Sequence, residues 1–271
     1  KKFKVDMEDR IKKVKNIKSA IPVEVRNKLI TDLRFITIDE VQSLQFIDDT
    51  IIDNRRKYLK NLIMITKIKD GDLFWRFDKH GRFHSNFTNL RKGIRKQYLK
   101  IDGEGIGSLD IKTSQPFFLD QILKREWLMN DNVEVNRFIN IVETNDLYIY
   151  FLQKYPSEFN DRDSVKPMVF KCLFDNRKYV QHYKALFRSE FPVVYEFIEN
   201  YYINTGEYLW KTLQRMESDF IFNKLYPSII KHVQDVKLFT VHDSIHFPIK
   251  YYSDIKRIWD QEMDGALKKW I

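Results

Sequence analysis

Short apolar runs near both ends of the chain, separated by a long helical stretch, constrain this fold more than any other feature. Val236 to Thr240 and Ile245 to Ile249 read as two strands joined by a tight turn, broken only around His242-Asp243. Leu73 to Phe77, Arg82 to His84 and Ser108 to Ile111 carry the same strand signal. Residues 116 to 235 instead repeat their apolar positions at helical spacing, with Tyr and Phe throughout. An isolated hairpin is marginal in water. Strands on both sides of a helical insertion therefore imply one sheet assembled from distant segments.

Composition narrows the class. Hydrophobic residues make up 43% of the 271 positions and charged residues 31%, the balance of a folded rather than a disordered chain. A chain of this size buries roughly three quarters of its unfolded surface, so its core needs neither disulfide nor metal. With 8 Gly, 7 Pro and no Pro/Gly/Ser linker, a glycine-rich barrel, a collagen-like repeat and a linker-dominated protein are excluded. The lone Cys172 excludes a disulfide framework and a multi-thiolate zinc site, and fits a reducing, intracellular setting, a phage or mobile-element source included. No apolar run reaches the roughly 18 residues that a membrane span needs, so no membrane partner is expected. Lys1-Lys2-Phe3-Lys4 lacks the apolar core of a signal peptide and an initiator Met, which leaves room for a longer parent chain. Lys and Arg total 47 against 38 Asp and Glu, a net charge of +9, which suits a polyanionic partner without requiring one.

Residues 1 to 70 read as helices, with Ile11, Val14, Ile17 and Ile21 near helical spacing. Thr37 and Glu40 have the spacing of a capping box and open a second helix, about Ile38 to Ile65. Its Arg55, Arg56, Lys57 and Lys60 fit a solvated face and a nucleic-acid contact equally well. The densest basic patch is Arg91-Lys92-Gly93-Ile94-Arg95-Lys96, and an amphipathic helix from about Ser253 to Trp270 closes the chain.

Two aspartates stand where a strand meets a turn. Asp110 ends Ile106-Gly107-Ser108-Leu109, and Asp243 sits between the two C-terminal strands. A carboxylate at a strand end loses hydration unless a positive group compensates it. A pair on adjacent strands repel each other and call for a cation, most simply Mg²⁺ with its oxygen ligands. Two such ions can activate an attacking oxygen and stabilise a leaving one in phosphoryl transfer. The bland alternative is a turn Asp capping local backbone, which is the commoner role. In Arg162 to Phe174, Ser164 is a candidate N-cap and Pro167 is tolerated in a first turn. Lys166, Phe170 and Phe174 then share one helix face, a cation and two rings able to hold a triphosphate and stack on a base. An amphipathic helix with two core phenylalanines is the competing reading of the same spacing.

Read in order, these segments resemble the polymerase core of the family A nucleic-acid polymerases, over roughly residues 73 to 271. That superfamily spans bacterial DNA polymerase I and the phage and mitochondrial single-subunit RNA polymerases. Asp78-Lys79-His80-Gly81-Arg82 is similar to the T/D-x-x-G-R motif, and Leu109-Asp110-Ile111 with Ser114-Gln115 to motif A. Arg162, Lys166, Phe170 and Phe174 resemble motif B, and Val241-His242-Asp243-Ser244 resembles motif C. Lesser matches are Asn145-Asp146-Leu147-Tyr148 to the D-I-H element, Phe187 to Tyr195 to the Y-P-G-V stretch, and Gln214 with Asp219 to the Q-G-T-A-A-D helix. The resemblance implies an α+β right-hand polymerase with a small antiparallel palm sheet, helical fingers and a short helical thumb. Residues 1–72 would form the thumb-like region, 73–115 the first part of the palm, 116–235 mainly fingers, and 236–271 the motif C hairpin and last helix.

The implied activity is template-directed nucleotidyl transfer with two Mg²⁺ ions, held by Asp110, Asp243 and the carbonyl of Ile111. Lys166 and Arg162 would take the phosphates, Phe170 and Phe174 the incoming base and templating pair, and Gln115 the sugar. Arg82, Arg91, Arg95, Lys96, Gln214 and His242 would contact a DNA template-primer duplex, with nucleoside triphosphates as the other partner. Long extension would need a processivity partner or a further part of the chain.

Departures from the family pattern divide the substrate choice. Ser244 after Asp243 and the acidic Asp78 resemble the RNA enzymes. Gln115, close in size to the sugar-gating Glu of the DNA enzymes, and the Gln214/Asp219 helix resemble the DNA enzymes. Phe174 lacks the hydroxyl of the RNA enzymes, and Pro167 inside motif B is unusual. A DNA polymerase is the favoured expectation. An RNA polymerase or primer-making enzyme, and a catalytically inactive nucleic-acid-binding relative, are the alternatives.

Overall fold

The computed structural model describes residues 21–269 except 79–80, 128–131, 145 and 175–180. Among the described residues seven short strands occur. They are β1 (Ile36–Ile38), β2 (Trp75–Phe77), β3 (Phe83–Ser85), β4 (Leu99–Ile101), β5 (Ile106–Asp110), β6 (Phe239–Val241) and β7 (Ser244–Pro248). All pair antiparallel: β1 with β4, β2 with β3, and a three-stranded sheet in the order β5-β7-β6. Helices make up most of the rest, so the protein is α+β, mostly helical, with small antiparallel sheets.

The expected single sheet is instead three among the described residues: β2 and β3, close in sequence, pair only with each other, and the part assembled from distant segments is the three-stranded sheet. Strand β5 runs against β7 from Ile106↔Pro248 to Asp110↔Ser244, and β7 returns along β6 from Val241↔Ser244. Gly107 faces Phe247 in this register, and a Cβ on Gly107 would lie 2.7 Å from Phe247 Cε2. The bare backbone at Gly107 is what admits the ring. Phe239 of β6 packs on the fully buried Phe87 at 4.9 Å between centroids, and Phe87 also meets His246 at 5.1 Å.

The chain divides into two compact units. One comprises residues 1–110 with 218–263, the other 111–217 with 264–271. The first holds all seven strands. Its first helix among the described residues, Val23–Asp32, is tied to the approach to β6 by Asp32, whose buried carboxylate accepts the Leu238 N–H at 2.9 Å and pairs with Lys28 at 2.9 Å. The second unit is helical, with the helices Ser114–Trp127, Val133–Thr144, Leu147–Lys154, Arg162–Phe174, Gln181–Glu190, Pro192–Thr205 and Leu209–Asp219. Phe138, Phe151, Phe187 and Phe191, all but completely buried, form its aromatic centre, for example Phe138–Phe191 at 5.2 Å and Phe151–Phe187 at 5.8 Å.

Several expectations are corrected. The single helix over Ile38 to Ile65 is two, Glu40–Ile51 and Arg55–Lys69, because the Asn54 side chain accepts the Lys57 N–H and starts a new helix. The first is capped by Asp39, which accepts the Gln42 N–H, while Thr37 lies in β1. That strand and its partner β4 were not expected: β1 lies in a segment read as helix, and β4 follows directly on the basic run. In the Arg162 to Phe174 segment the helix starts at Arg162, not after Ser164. Asp161 accepts the Ser164 N–H at 2.7 Å while Ser164 Oγ lies 3.2 Å from the Asp161 N–H, the reciprocal pattern of a capping box. Pro167 therefore lies inside the helix, past its first turn. The expected helix around Ile11 to Ile21 falls almost wholly outside the described residues.

Two outcomes test this packing. Gly107→Ala should overpack the β5–β7 pair and lower stability by about 1–3 kcal/mol, read as a drop in thermal midpoint of several degrees. His246 is held neutral: removal from water, then the nearby Arg95, Lys96 and Lys92 charges, push its pKa down to about 3, while Ser244 Oγ lies 3.1 Å from Nε2. In the unfolded chain it titrates near 6.5, so its contribution is complete above about pH 6.5 and is lost as pH falls toward 3. The fall in thermal midpoint from pH 7 to pH 5 should thus be smaller in His246→Gln than in the parent. Equal falls would refute this assignment.

Candidate functional site

In the strand-bearing unit, the β6–β7 turn is made of two residues, His242 and Asp243. His242 has φ 55°, the left-handed value that a two-residue hairpin turn requires at its first position and that Gly or Asn usually supplies. Holding a His there costs about 1–2 kcal/mol. Asp243 follows, and Ser244, the first residue of β7, lies directly opposite Asp110. Both aspartates therefore stand at one end of one sheet. Asp110 is exposed and Asp243 half-buried. Ser244 Oγ donates to the Val241 carbonyl at 2.8 Å, closing the turn from within.

The β2–β3 hairpin gives the Asp78-x-x-Gly81-Arg82 pattern a mechanical meaning. Asp78 accepts the Arg82 N–H at 3.0 Å with Oδ1 and meets His84 Nε2 at 3.0 Å with Oδ2. The Asp78 N–H donates to the Arg82 carbonyl, and the Gly81 N–H to that of Asp78. Gly81 has φ 82°, which few other residues tolerate. His84 then contacts His242 edge-on at 6.3 Å, so this hairpin lies against the turn that carries Asp243. Loss of water, then the Arg82 charge and the His84 ring, push the His242 pKa down to about 4, although the residue as a whole is exposed. Lys79 and His80 of the motif lie outside the described residues.

The basic run does not act as one patch. Arg91, Lys92 and Lys96 are exposed, and Arg91 lies over the Phe46 ring at 5.7 Å. Arg95 differs from the expected duplex contact. It is buried beside Phe87, and its Nη1 donates to the carbonyls of Phe87, Thr88 and Leu90. Burial pushes its pKa down to about 10, so it stays charged at neutral pH and serves the end of the short Asn86–Asn89 helix.

The helical unit carries the other predicted residues. Lys166, Phe170 and Phe174 do share a face: Lys166 Nζ lies 5.7 Å from the Phe170 centroid, and the two rings are 5.2 Å apart. Arg162 is braced, its Nε donating to the buried Asp146 at 2.8 Å and its guanidinium lying over Tyr148 at 4.8 Å. Asp146 also accepts the Tyr148 N–H at 2.9 Å. Ile111 and Gln115 are buried, and Gln214 is half-buried. Gln115 Nε2 donates to Glu217 Oε2 at 2.7 Å, and Ser114 Oγ donates to the same oxygen at 2.9 Å. Gln115 Oε1 has no hydrogen-bond partner among the described residues. Thr113, buried and β-branched, adopts φ 50°, a second left-handed residue close to a candidate carboxylate.

Asp78, Asp146 and Glu217 are the residues that sequence reasoning left without a role. For Asp78 the signal was present, because it opens the segment that ends in Arg82, whose N–H it accepts, whereas Asp146 lies 16 residues before the Arg162 it braces. Glu217 had none, since its partners lie far away in sequence. Among the described residues no three His, Cys, Asp or Glu side chains form a metal-binding group. No helix among them is long and apolar enough to cross a membrane. No protein-family model and no curated protein matches the chain.

Proposed function

We propose that the chain is a template-directed nucleotidyltransferase of the family A type, a right-hand polymerase that adds deoxynucleotides to a primer. One observation carries this reading: the β5–β7 register sets Asp110 opposite Ser244, which brings the motif A and motif C carboxylates to one end of one sheet. The order of the four motif-like segments along the chain supports it.

The donor set fits Mg²⁺. This ion is typically bound by one or two carboxylates, with waters and substrate phosphates completing its octahedron, rather than by an all-protein cage. Asp110, Asp243 and the Ile111 carbonyl offer hard oxygens of that kind. Two ions held there would supply Lewis acidity to a primer hydroxyl and offset the triphosphate charge. On this reading Lys166, whose ammonium lies over the Phe170 ring, would take the phosphates, and Phe170 and Phe174 would offer flat faces to a base. Arg162, oriented by Asp146, adds a second cation with little freedom to lose on binding. Arg82, Arg91, Lys96 and Gln214 would follow the duplex through its phosphates, so binding weakens as salt rises. His242, neutral at physiological pH, would serve as a hydrogen-bonding group and not as a charge.

Ser244, which resembles the RNA enzymes, has a structural task in the turn and so says little about the sugar. Gln115, an amide of glutamate size in a buried site, supports deoxynucleotides. In a primer-extension assay, Asp110→Asn and Asp243→Asn should each abolish extension while leaving the thermal midpoint nearly unchanged. The parent should use dNTPs with a primer and fail with NTPs alone. Full extension by either variant would sink the assignment.

A further inference from the structure

We propose that the corner between the Pro192–Thr205 and Leu209–Asp219 helices is a stacking platform for the unpaired bases of single-stranded DNA, using none of the residues assigned above. Gly206, at φ 72°, ends the first helix and reverses the chain. Three rings line up around that reversal. Tyr202 and Tyr208 have centroids 4.6 Å apart and planes 25° apart, and Tyr208 and Trp210 follow at 6.4 Å and 22°. The parallel rings Phe151 and Phe187 of the same unit are buried in its core, but Tyr202 and Tyr208 of this ladder are exposed and Trp210 is half-buried. Tyr202 is 49% exposed, Tyr208 40%, and the neighbouring Ile203 77%. Clustered apolar surface of this kind on a soluble unit marks a contact site.

The charge beside the ladder indicates what covers it. Lys211 Nζ lies 5.1 Å from the Tyr208 centroid and 5.5 Å from that of Trp210. Glu207, the carboxylate at the turn, is already paired with Arg215 and accepts from Thr212 Oγ1 at 3.2 Å. Flat aromatic faces with a cation at their edge match a base joined to its phosphate. Stacking of this kind is worth about 1–3 kcal/mol per base and tolerates any sequence, because every base has a π-face. The choice of DNA over RNA rests on the polymerase reading.

Fluorescence anisotropy with labelled oligo(dT), oligo(U) and a blunt duplex of equal length tests the platform. The parent should bind oligo(dT) more tightly than oligo(U), and more weakly as salt rises from about 50 to 200 mM. Tyr202→Ala and Tyr208→Ala should each weaken oligo(dT) binding about tenfold. Tyr202→Phe, which keeps the ring, should bind like the parent, and duplex binding should be unchanged in all three variants. Unchanged oligo(dT) binding in Tyr202→Ala, an equal loss on duplex, or tighter binding of oligo(U) would overturn the proposal. Asp110→Asn should bind oligo(dT) like the parent. A parent that binds oligo(dT) through Tyr202 but extends no primer would refute the polymerase reading and leave the platform standing.

Discussion

The antiparallel pairing of β5 with β7 is the constraint on which the strand-bearing unit depends. It joins segments from opposite sides of the helical insertion, so its loop-closure entropy must be offset by local contacts. Those contacts are specific. Phe247 occupies the space left by the missing side chain of Gly107, and β7 is buried along most of its length. Side chains alternate along a strand, so a slip of one residue would turn Leu109 outward and Asp110 inward. The register that buries the core is thus the same register that presents the carboxylate. The His242 turn, strained at φ 55°, persists because the β6–β7 ladder on either side of it leaves no alternative.

Charge in this protein divides between scaffolding and surface. Arg95 is locked onto three backbone carbonyls, and Arg162 onto Asp146. A guanidinium is suited to this work because its planar fork satisfies several acceptors while staying charged. Lys92, Lys96 and Lys166 are exposed instead. The net +9 therefore overstates the charge of any one face, and composition alone could not have separated the two uses. The deep burial of Arg95 also bears on the sheet, because its charge is the first of those that hold His246 neutral.

Much of the architecture was legible in the sequence, and the failures have identifiable causes. The β6–β7 hairpin stood out because two apolar runs flank a short polar break, and the last helix because its periodicity holds over 18 residues. β1 was hidden in a segment whose Thr37 and Glu40 spacing reads as a helix start, β4 follows directly on the basic run, and Asn54 broke a helix through a cap that looked like an ordinary polar residue. Asp110 and Asp243 were found as strand-end carboxylates, and their place at the same end of the sheet followed from the register. The common face of Lys166, Phe170 and Phe174 followed from helical spacing alone. The fate of Arg95 was not legible, because nothing local distinguishes a buried arginine from its exposed neighbours in a basic run. Partners distant in sequence, such as Glu217 for Gln115, were equally hidden.

Glu217 also accounts for an amide rather than a carboxylate at position 115. That position lies within hydrogen-bond reach of the carboxylate of Glu217, which is 2% exposed and 2.7 Å from Gln115 Nε2. Two buried carboxylates so close could not both ionise, and one would be forced to take up a proton. An amide of the same length removes the conflict and donates to Glu217 in addition. The Ser114 hydroxyl contributes the second donor to the same oxygen. Gln115 is therefore what the local electrostatics require of a glutamate-sized residue at this position. Its identity follows from Glu217 first, and any selection between sugars would have to act through a side chain already fixed by that pair.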